Sequence, residues 1–202
     1  MTSVITGDII KSRQANPETW ITILKNALSF LSSDNSRWEI YRGDSFQIEI
    51  TDISESFLAA VYLKACIKTI KGLDVRLAIG IGNKAYQGKD VTESNGEAFV
   101  FSGETLESLK KEKQNLRVKT SNTKFNVELN LYFKLALVTM DNWTVNSAEV
   151  IKLSIENPNA LQQELAQLIG TKQDAISKRQ KRAGLEHILE LNQMYQLKIT
   201  SL

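Results

Sequence analysis

Two aspartates stand at the ends of predicted strands, where carboxylates can serve as ligands. Asp8 ends a short β-branched run at residues 3–9, and Asp44 lies in a Gly-Asp turn between two alternating segments. If the first strand lies beside this hairpin, both carboxylates reach one rim of the sheet. Paired carboxylates bind Mg²⁺, a hard cation that takes oxygen ligands and shares them with phosphates. The same residue types also suit ordinary tight turns, which is the alternative interpretation.

The residues that follow Asp8 are suited to an anion. Lys11, Ser12 and Arg13 place a hydroxyl and two cations at the predicted start of a helix. The amino end of a helix favours negative charge and presents free N–H groups. We therefore expect a nucleotide or a phosphorylated small ligand here, with Mg²⁺ as its cofactor. The glycines of Gly80-Ile81-Gly82 could likewise admit a phosphate, although the end of a strand explains them better.

A second candidate site is a helix-turn-helix pattern at about residues 160–183. Leu165 and Ile169 share one face of its first helix, Gly170 suits the turn, and Ile176 returns an apolar side chain to the core. Such a second helix fits the major groove of double-stranded DNA. A helical hairpin whose basic helix is only a solvated face is the alternative. The residues predicted to contact DNA are Lys172, Gln173, Ser177, Lys178, Lys181 and Arg182.

The overall composition is that of an ordinary globular protein. The chain has 202 residues, of which 42% are hydrophobic, and its formal net charge is +2. So small a charge excludes a polycation that coats nucleic acid, and any basic surface must be local. The lone Cys66 lies in an apolar run and is expected in the core; one thiol forms no internal disulfide, which suits a reducing cytoplasm. We expect a cytoplasmic protein with no membrane span and no signal peptide.

Hydrophobic periodicity predicts the elements that would position these residues. Residues 1–122 are predicted to form an α/β (α+β) domain, with helices packed on a mixed sheet. Residues 123–202 are predicted to form an all-α helix-turn-helix domain that begins with a long helix. The predicted strands are residues 3–9, 38–41, 45–50, 75–82 and 116–119, and the predicted helices outside the helix-turn-helix are residues 17–33, 55–70, 96–111, 124–143, 145–156 and 185–197.

Short motifs of the first domain resemble the catalytic core of class III nucleotidyl cyclases. They are Asp8-Ile9 after a strand, Gly43-Asp44 at a hairpin tip, and the segment from residue 76 to residue 82. The resemblance spans residues 1–120 and implies a cyclase-like fold with a metal site formed by Asp8, Asp44 and the carbonyl of Ile9. Cyclases also carry an Asn and an Arg that stabilise the transferring phosphate on the helix after these motifs. Residues 96–104 contain neither.

A wider set of motifs resembles the SatD family of bacterial proteins over nearly the whole chain. It comprises residues 6–9, 42–47, 76–82 and 96–103, together with the C-terminal helix-turn-helix. This resemblance implies a protein of two parts and does not imply a particular reaction.

Three functional hypotheses follow from these patterns. The first is a homodimeric DNA-binding protein that regulates transcription and whose α/β domain senses a nucleotide or metal. In this hypothesis residues 124–143 pass the change to the DNA-binding end or form the dimer seam. The alternative is an Mg²⁺-dependent nucleotide-processing enzyme that uses Asp8 and Asp44 for phosphoryl or nucleotidyl transfer. The third is a protein-interaction module in which the basic helix docks on an acidic partner. Because the cyclase Asn and Arg are missing, we favour the regulator over an enzyme and assign no residue a catalytic role.

Overall fold

Five strands form one mixed sheet in the computed structural model, which describes residues 1–200 and 202. The strands in chain order are β1 (Thr2–Ile10), β2 (Trp38–Tyr41), β3 (Ser45–Ile50), β4 (Asp74–Gly82), β5 (Lys84–Tyr86), β6 (Asn95–Gly96) and β7 (Leu116–Lys119). The order across the main sheet is β2-β3-β1-β4-β7, and β5 pairs with β6 in a separate ribbon. Strands β4 and β7 are parallel, whereas the other neighbours in the main sheet are antiparallel. This is a split β-α-β-β-α-β arrangement extended by β7.

Helices cover the sheet and make up most of the remaining described chain. They are α1 (Pro17–Leu31), α2 (Ser56–Lys68), α3 (Glu97–Glu112), α4 (Thr123–Met140), α5 (Val145–Glu156), α6 (Gln162–Leu168), α7 (Gln173–Ala183) and α8 (Leu185–Ile199). Local sequence explains where several begin. Asn16 caps α1 ahead of Pro17, and Asn122 caps α4 by accepting a hydrogen bond of 3.1 Å from the backbone of Phe125. The mixed α/β class predicted from the sequence is confirmed.

The two faces of the sheet are covered by different helices. Ile5 and Ile79 face α1 and α2 and belong to the main core, whereas Thr6 points the other way and donates a hydrogen bond of 2.9 Å to Ser102 of α3. Side chains alternate along a strand, so Asp8 shares the α3 side with Thr6. The α3 face therefore carries Thr6 and Asp8, whereas Ser3 lies on the same face as Ile5.

Gly80 and Gly82 allow α3 to lie directly on β4. A Cβ at Gly82 would lie 2.6 Å from Cβ of Glu97, and one at Gly80 would lie 2.5 Å from the backbone nitrogen of Ser102. Gly82 is also the last residue of β4, as expected for a strand end. The glycines thus serve close packing of a helix on a strand, rather than the approach of a phosphate.

One continuous core joins the sheet to the C-terminal helices. Helix α2 is buried along nearly its whole length, and the ring of Phe57 stacks on Phe133 of α4 at a centroid distance of 4.8 Å. Tyr62 donates a hydrogen bond of 2.6 Å to Glu156 of α5. The boundary predicted at residue 122 falls at the cap of α4, and the core passes across it.

A buried ion cluster lies within this core. The side chain of Lys64 is fully buried, and its Nζ lies 2.6 Å from Asp74 Oδ1 and 2.7 Å from Asp141 Oδ1. Lys68 adds a bond of 3.2 Å to Asp74 and one of 2.9 Å to the carbonyl of Asp141. A buried ammonium is costly unless it is paired, so these contacts make a lysine tolerable inside the apolar run of α2. The same run holds Cys66, which is buried as predicted.

Candidate functional sites

The first candidate site is the rim where β1, β4 and the β2–β3 turn meet. Asp8 is opposite Arg76 in one strand pairing and opposite Ser45 in the other. Nη1 of Arg76 donates a hydrogen bond of 3.2 Å to Asp8 Oδ2. The backbone N–H of Ile9 donates to the carbonyl of Asp44 at 3.0 Å. The first strand therefore lies beside the hairpin tip, as predicted.

Local backbone conformation shapes the hairpin tip. Arg42 and Gly43 both have positive φ, at 52° and 88°, which turns the chain tightly between β2 and β3. Oδ2 of Asp44 accepts a hydrogen bond of 2.6 Å from the hydroxyl of Ser12. This bond holds the Asp44 carboxylate against the segment that follows β1.

Two buried polar atoms at this rim lack hydrogen-bond partners within residues 1–200 and 202. They are Oδ1 of Asp8 and Nε of Arg76, one an acceptor and the other a donor. Burial raises the pKa of Asp8 above its ordinary value of 3.8, against the opposing effects of Arg76 and Lys110. Unpartnered buried groups are costly, so this rim is a place where a ligand with both a cationic and an anionic part would be favourable.

The carboxylates available to a metal ion here are Asp8 and Asp44. No cluster of three or more acidic, histidine or cysteine side chains suited to a metal occurs in the described residues. The free Oδ1 of Asp8 fits a hard cation, whose remaining ligands would have to come from backbone, phosphate or solvent oxygens. The side chain of Ile9 is buried in the core beside this rim, and its carbonyl stays a predicted ligand.

The predicted anion-binding segment differs from expectation in its local structure. Ser12–Gln14 form a 3₁₀ turn, and α1 begins only at Pro17, so Lys11, Ser12 and Arg13 do not stand at the start of a long helix. The physical reason is that Lys11 adopts the left-handed conformation, with φ of 64°, which redirects the chain.

These three residues also separate in space. Ser12 is buried against Asp44, while Arg13 is exposed. Lys11 lines a different cavity of about 640 Å³ between the sheet and the start of α5, together with Lys68 and Lys71. Of the predicted anion-binding residues, Ser12 is the one that the structure brings to the Asp44 carboxylate.

Arg76 is a residue of this site whose role the sequence alone does not reveal. The available signal was a single charged residue inside the otherwise apolar stretch of β4, between Val75 and Leu77. A charged side chain in a buried strand needs a partner, and Asp8 is the carboxylate directly opposite. Lys110 of α3 is a second cation that acts on Asp8, although it lies far along the chain.

The second candidate site is on α7. Helices α6 and α7 are joined by a turn in which Gly170 has φ of 65°, as predicted for that glycine. Leu165 and Ile176 are 2% and 0% exposed, so the apolar sides of both helices face inward as expected. Trp143 donates a buried hydrogen bond of 2.8 Å to the carbonyl of Ala183, which anchors the end of α7.

The inner and outer sides of α7 differ in chemistry. On the inner side, Arg179 forms an ion pair of 2.9 Å with Glu149 of α5, and Gln180 bonds to Ser154 and Gln162. On the outer side, the residues predicted to contact DNA are Lys172, Gln173, Ser177, Lys178, Lys181 and Arg182, and all six are exposed.

Most of the outer cations are free of counter-charges. Lys178 lies 3.3 Å from Asp174, one turn earlier on the same helix, in a highly exposed pair. Such exposed pairs are weak and leave the ammonium available. Lys172, Lys181 and Arg182 form no ion pair with any residue that the structure describes. The outer side of α7 is thus a cationic helix face on a protein of nearly balanced charge.

Comparisons with known proteins leave both resemblances as predictions. No protein-family model matches the chain, and neither the curated proteins nor the solved structures contain a match. Within the described residues, none of the helices combines the length and apolar character that a bilayer crossing requires.

Proposed function

We propose that the protein is a cytoplasmic DNA-binding regulator that contacts double-stranded DNA with the outer side of α7. The observation that carries the proposal is that α7 has a buried apolar side and an exposed cationic side. Ile176 and Ala183 are fully buried, whereas the residues predicted to contact DNA are exposed. An α-helix with its side chains is about 10–12 Å wide, which matches a major groove of about 12 Å. On this proposal α6 and α7 act as a helix-turn-helix.

The charge distribution supports a nucleic-acid partner. Residues 172–182 carry five cations and one acid, although the whole chain has a net charge of only +2. Because Arg179 is paired with Glu149, the cations free to meet phosphates are Lys172, Lys178, Lys181 and Arg182. Gln173 and Ser177 lie between them and are residue types that hydrogen-bond to base edges.

The salt dependence of binding tests this proposal. Lys181→Ala/Arg182→Ala should weaken binding to a mixed-sequence duplex and reduce the slope of log K against log salt by roughly 0.9 for each phosphate that the variant no longer neutralises. The matched control is Lys25→Ala/Lys89→Ala, which removes two exposed lysines elsewhere. Fluorescence anisotropy over a salt series gives both quantities. If the wild type does not bind, or if both double variants bind alike, the proposal is wrong.

A selection experiment separates base recognition from phosphate contact. Selection from a random duplex library should enrich a sequence for the wild-type protein. Gln173→Ala should lose much of that preference while keeping the salt slope, because an uncharged side chain releases no counterions. An acidic protein partner would produce no such enrichment, so this outcome distinguishes the interaction-module hypothesis.

We also propose that the Asp8 rim binds a nucleotide together with Mg²⁺. The supporting observation is the pair of unpartnered buried atoms, Asp8 Oδ1 and Arg76 Nε. A metal ion would satisfy Asp8 Oδ1, and a phosphate oxygen would accept a hydrogen bond from Arg76 Nε. The backbone hydrogen bond from Ile9 to the carbonyl of Asp44, beside the end of β1, supports the proposal because the cyclase resemblance implies a metal site formed by these residues. On this proposal the α/β part is a cyclase-like sensor.

Thermal shift with nucleoside triphosphates, with and without Mg²⁺, tests the sensor. A ligand that binds only the folded protein adds about 2.7 kcal/mol at one hundred times its Kd. Asp8→Asn should lose the Mg²⁺-dependent shift, whereas Glu18→Gln, on the exposed side of α1, should keep it. Absence of any shift with the wild type would contradict the sensor. Release of phosphate or pyrophosphate, lost in Asp44→Asn, would favour the enzyme instead.

A further inference from the structure

Helix α4 carries a row of exposed apolar side chains, which we call the apolar ridge. It consists of Val127, Leu131, Leu135 and Val138, which are 69%, 55%, 62% and 69% exposed. Their spacing of four, four and three residues puts them on one face of the helix. The opposite face is buried in the core through Phe125, Leu129, Phe133, Leu137 and Met140.

A helix that is apolar on two opposite faces is normally covered on both. The ridge exposes roughly 400 Å² of apolar surface, a size at which the largest apolar patch of a monomer is often functional. Isolated exposed leucines need no explanation, but four apolar side chains in a row on one helix do.

We propose that the apolar ridge pairs with the ridge of a second copy of this chain, with the two α4 helices antiparallel. The order of side chains along the ridge is Val-Leu-Leu-Val, which reads the same in both directions. A two-fold axis near the middle of the ridge sets Val127 opposite Val138 and Leu131 opposite Leu135, each to within one residue. A two-fold interface requires such self-complementarity.

Charge also favours the antiparallel direction. In this arrangement Lys124, on the first turn of α4, lies near the C-terminal end of the other α4. That end carries a partial negative charge from its free carbonyl groups. A parallel pair would instead place two Lys124 ammonium groups together and align the two helix dipoles unfavourably.

The surface beside the ridge can complete the interface. A groove of about 450 Å³ runs between α4 and α8 and is lined by Ala136, Leu191 and Met194, among others. A second groove of about 350 Å³ lies on the other side, next to Asn130 and Lys134. A stable dimer buries about 800 Å² per partner. The ridge supplies about half of this, and its insertion beside the partner's ridge brings the groove walls into contact.

The pairing does not depend on DNA binding and is measured without DNA. Light scattering or sedimentation over a concentration series should give a dimer for the wild-type chain. Leu131→Lys/Leu135→Lys should give a monomer with an unchanged circular dichroism spectrum, since neither side chain belongs to the core. The matched control is Val100→Lys/Leu168→Lys, which charges two exposed apolar residues on other helices and should leave the dimer intact.

Cross-linking tests the direction of the pairing and covers the case in which the lysine variant misfolds. Cys66 is buried, so engineered thiols are the reactive ones in the folded protein. Val127→Cys/Val138→Cys should form a disulfide-linked dimer on mild oxidation, whereas each single variant alone should stay unlinked. A monomeric wild type, a dimer that survives the ridge lysines, or cross-linking of the single variants as readily as the double would overturn the proposal.

Discussion

The close packing of α3 on β4 gives a sharp prediction for Gly80→Ala. The added methyl would overlap the carbonyl oxygen of Ala98 and lie 2.5 Å from the backbone nitrogen of Ser102, where ordinary contact begins at 3.4 Å. Helix α3 would have to move away by about 1 Å to restore that contact. Such overpacking costs about 1–3 kcal/mol. The movement also strains the hydrogen bond from Thr6 to Ser102, worth about 1 kcal/mol.

The total expected loss is therefore about 2–4 kcal/mol of unfolding free energy for Gly80→Ala. Urea unfolding followed by circular dichroism measures it, with an unchanged m-value showing that two-state behaviour is kept. The control is Gly103→Ala, on α3 itself, where no described atom beyond the neighbouring residues and local backbone of α3 lies within 4 Å of the added methyl. That change should stabilise by about 0.5–1 kcal/mol through helix propensity. If Gly80→Ala is as stable as the wild type, α3 does not need a glycine at this position for its packing on β4.

Three further changes probe the site and the core. Because the pKa of Asp8 is raised in the folded state, protonation of Asp8 contributes stability that is full below pH 3.8 and is lost as pH rises through the folded-state pKa. Asp8→Asn should therefore gain stability relative to the wild type as pH rises across that window. A stability difference that stays constant in urea titrations at several pH values would contradict this. Asp74→Asn should lower the free energy of unfolding by about 3–5 kcal/mol, because it removes one of the carboxylates that pair with the buried Lys64 and Lys68. A loss below about 1 kcal/mol in the same assay would argue against the ion cluster. Thr144→Ala removes the cap that accepts a hydrogen bond of 3.2 Å from Ser147 and should lower the thermal unfolding midpoint, at a cost of about 1 kcal/mol; an unchanged midpoint would show that solvent replaces the cap.

Elements with local signals were predictable from the sequence. Residues 145–156 were predicted as a helix with the same bounds that α5 has, because its cap and its apolar spacing are both local. The adjacency of Asp8 and Asp44 was also predictable, since a hairpin turn and one strand pairing suffice for it. The buried sides of α6 and α7 follow in the same way, from the spacing of Leu165 and Ile169 and from the apolar Ile176 after the turn.

Features that depend on distant residues were not predictable. Lys64 lies in an apolar run, but its partner Asp141 comes 77 residues later and no local pattern links them. Lys11 was expected to lead into a helix, and the left-handed backbone that prevents this depends on how Ser12 packs against the hairpin tip. The sequence predicts a helix at residues 124–143 that could form a dimer seam. It does not predict which apolar residues of α4 stay exposed, because apolar residues all round a helix look like core in a sequence.

Because Cys66 is buried, the reactivity of its thiol reports how often the fold opens. Its side chain is 1% exposed, and burial raises the pKa of the thiol to about 12, so the native state resists alkylation at neutral pH. Helix α2 lies between the sheet and α5, and its exposure therefore requires these layers to part. The alkylation rate, compared with that of an unfolded chain, would consequently give the free energy of this separation under native conditions, without denaturant.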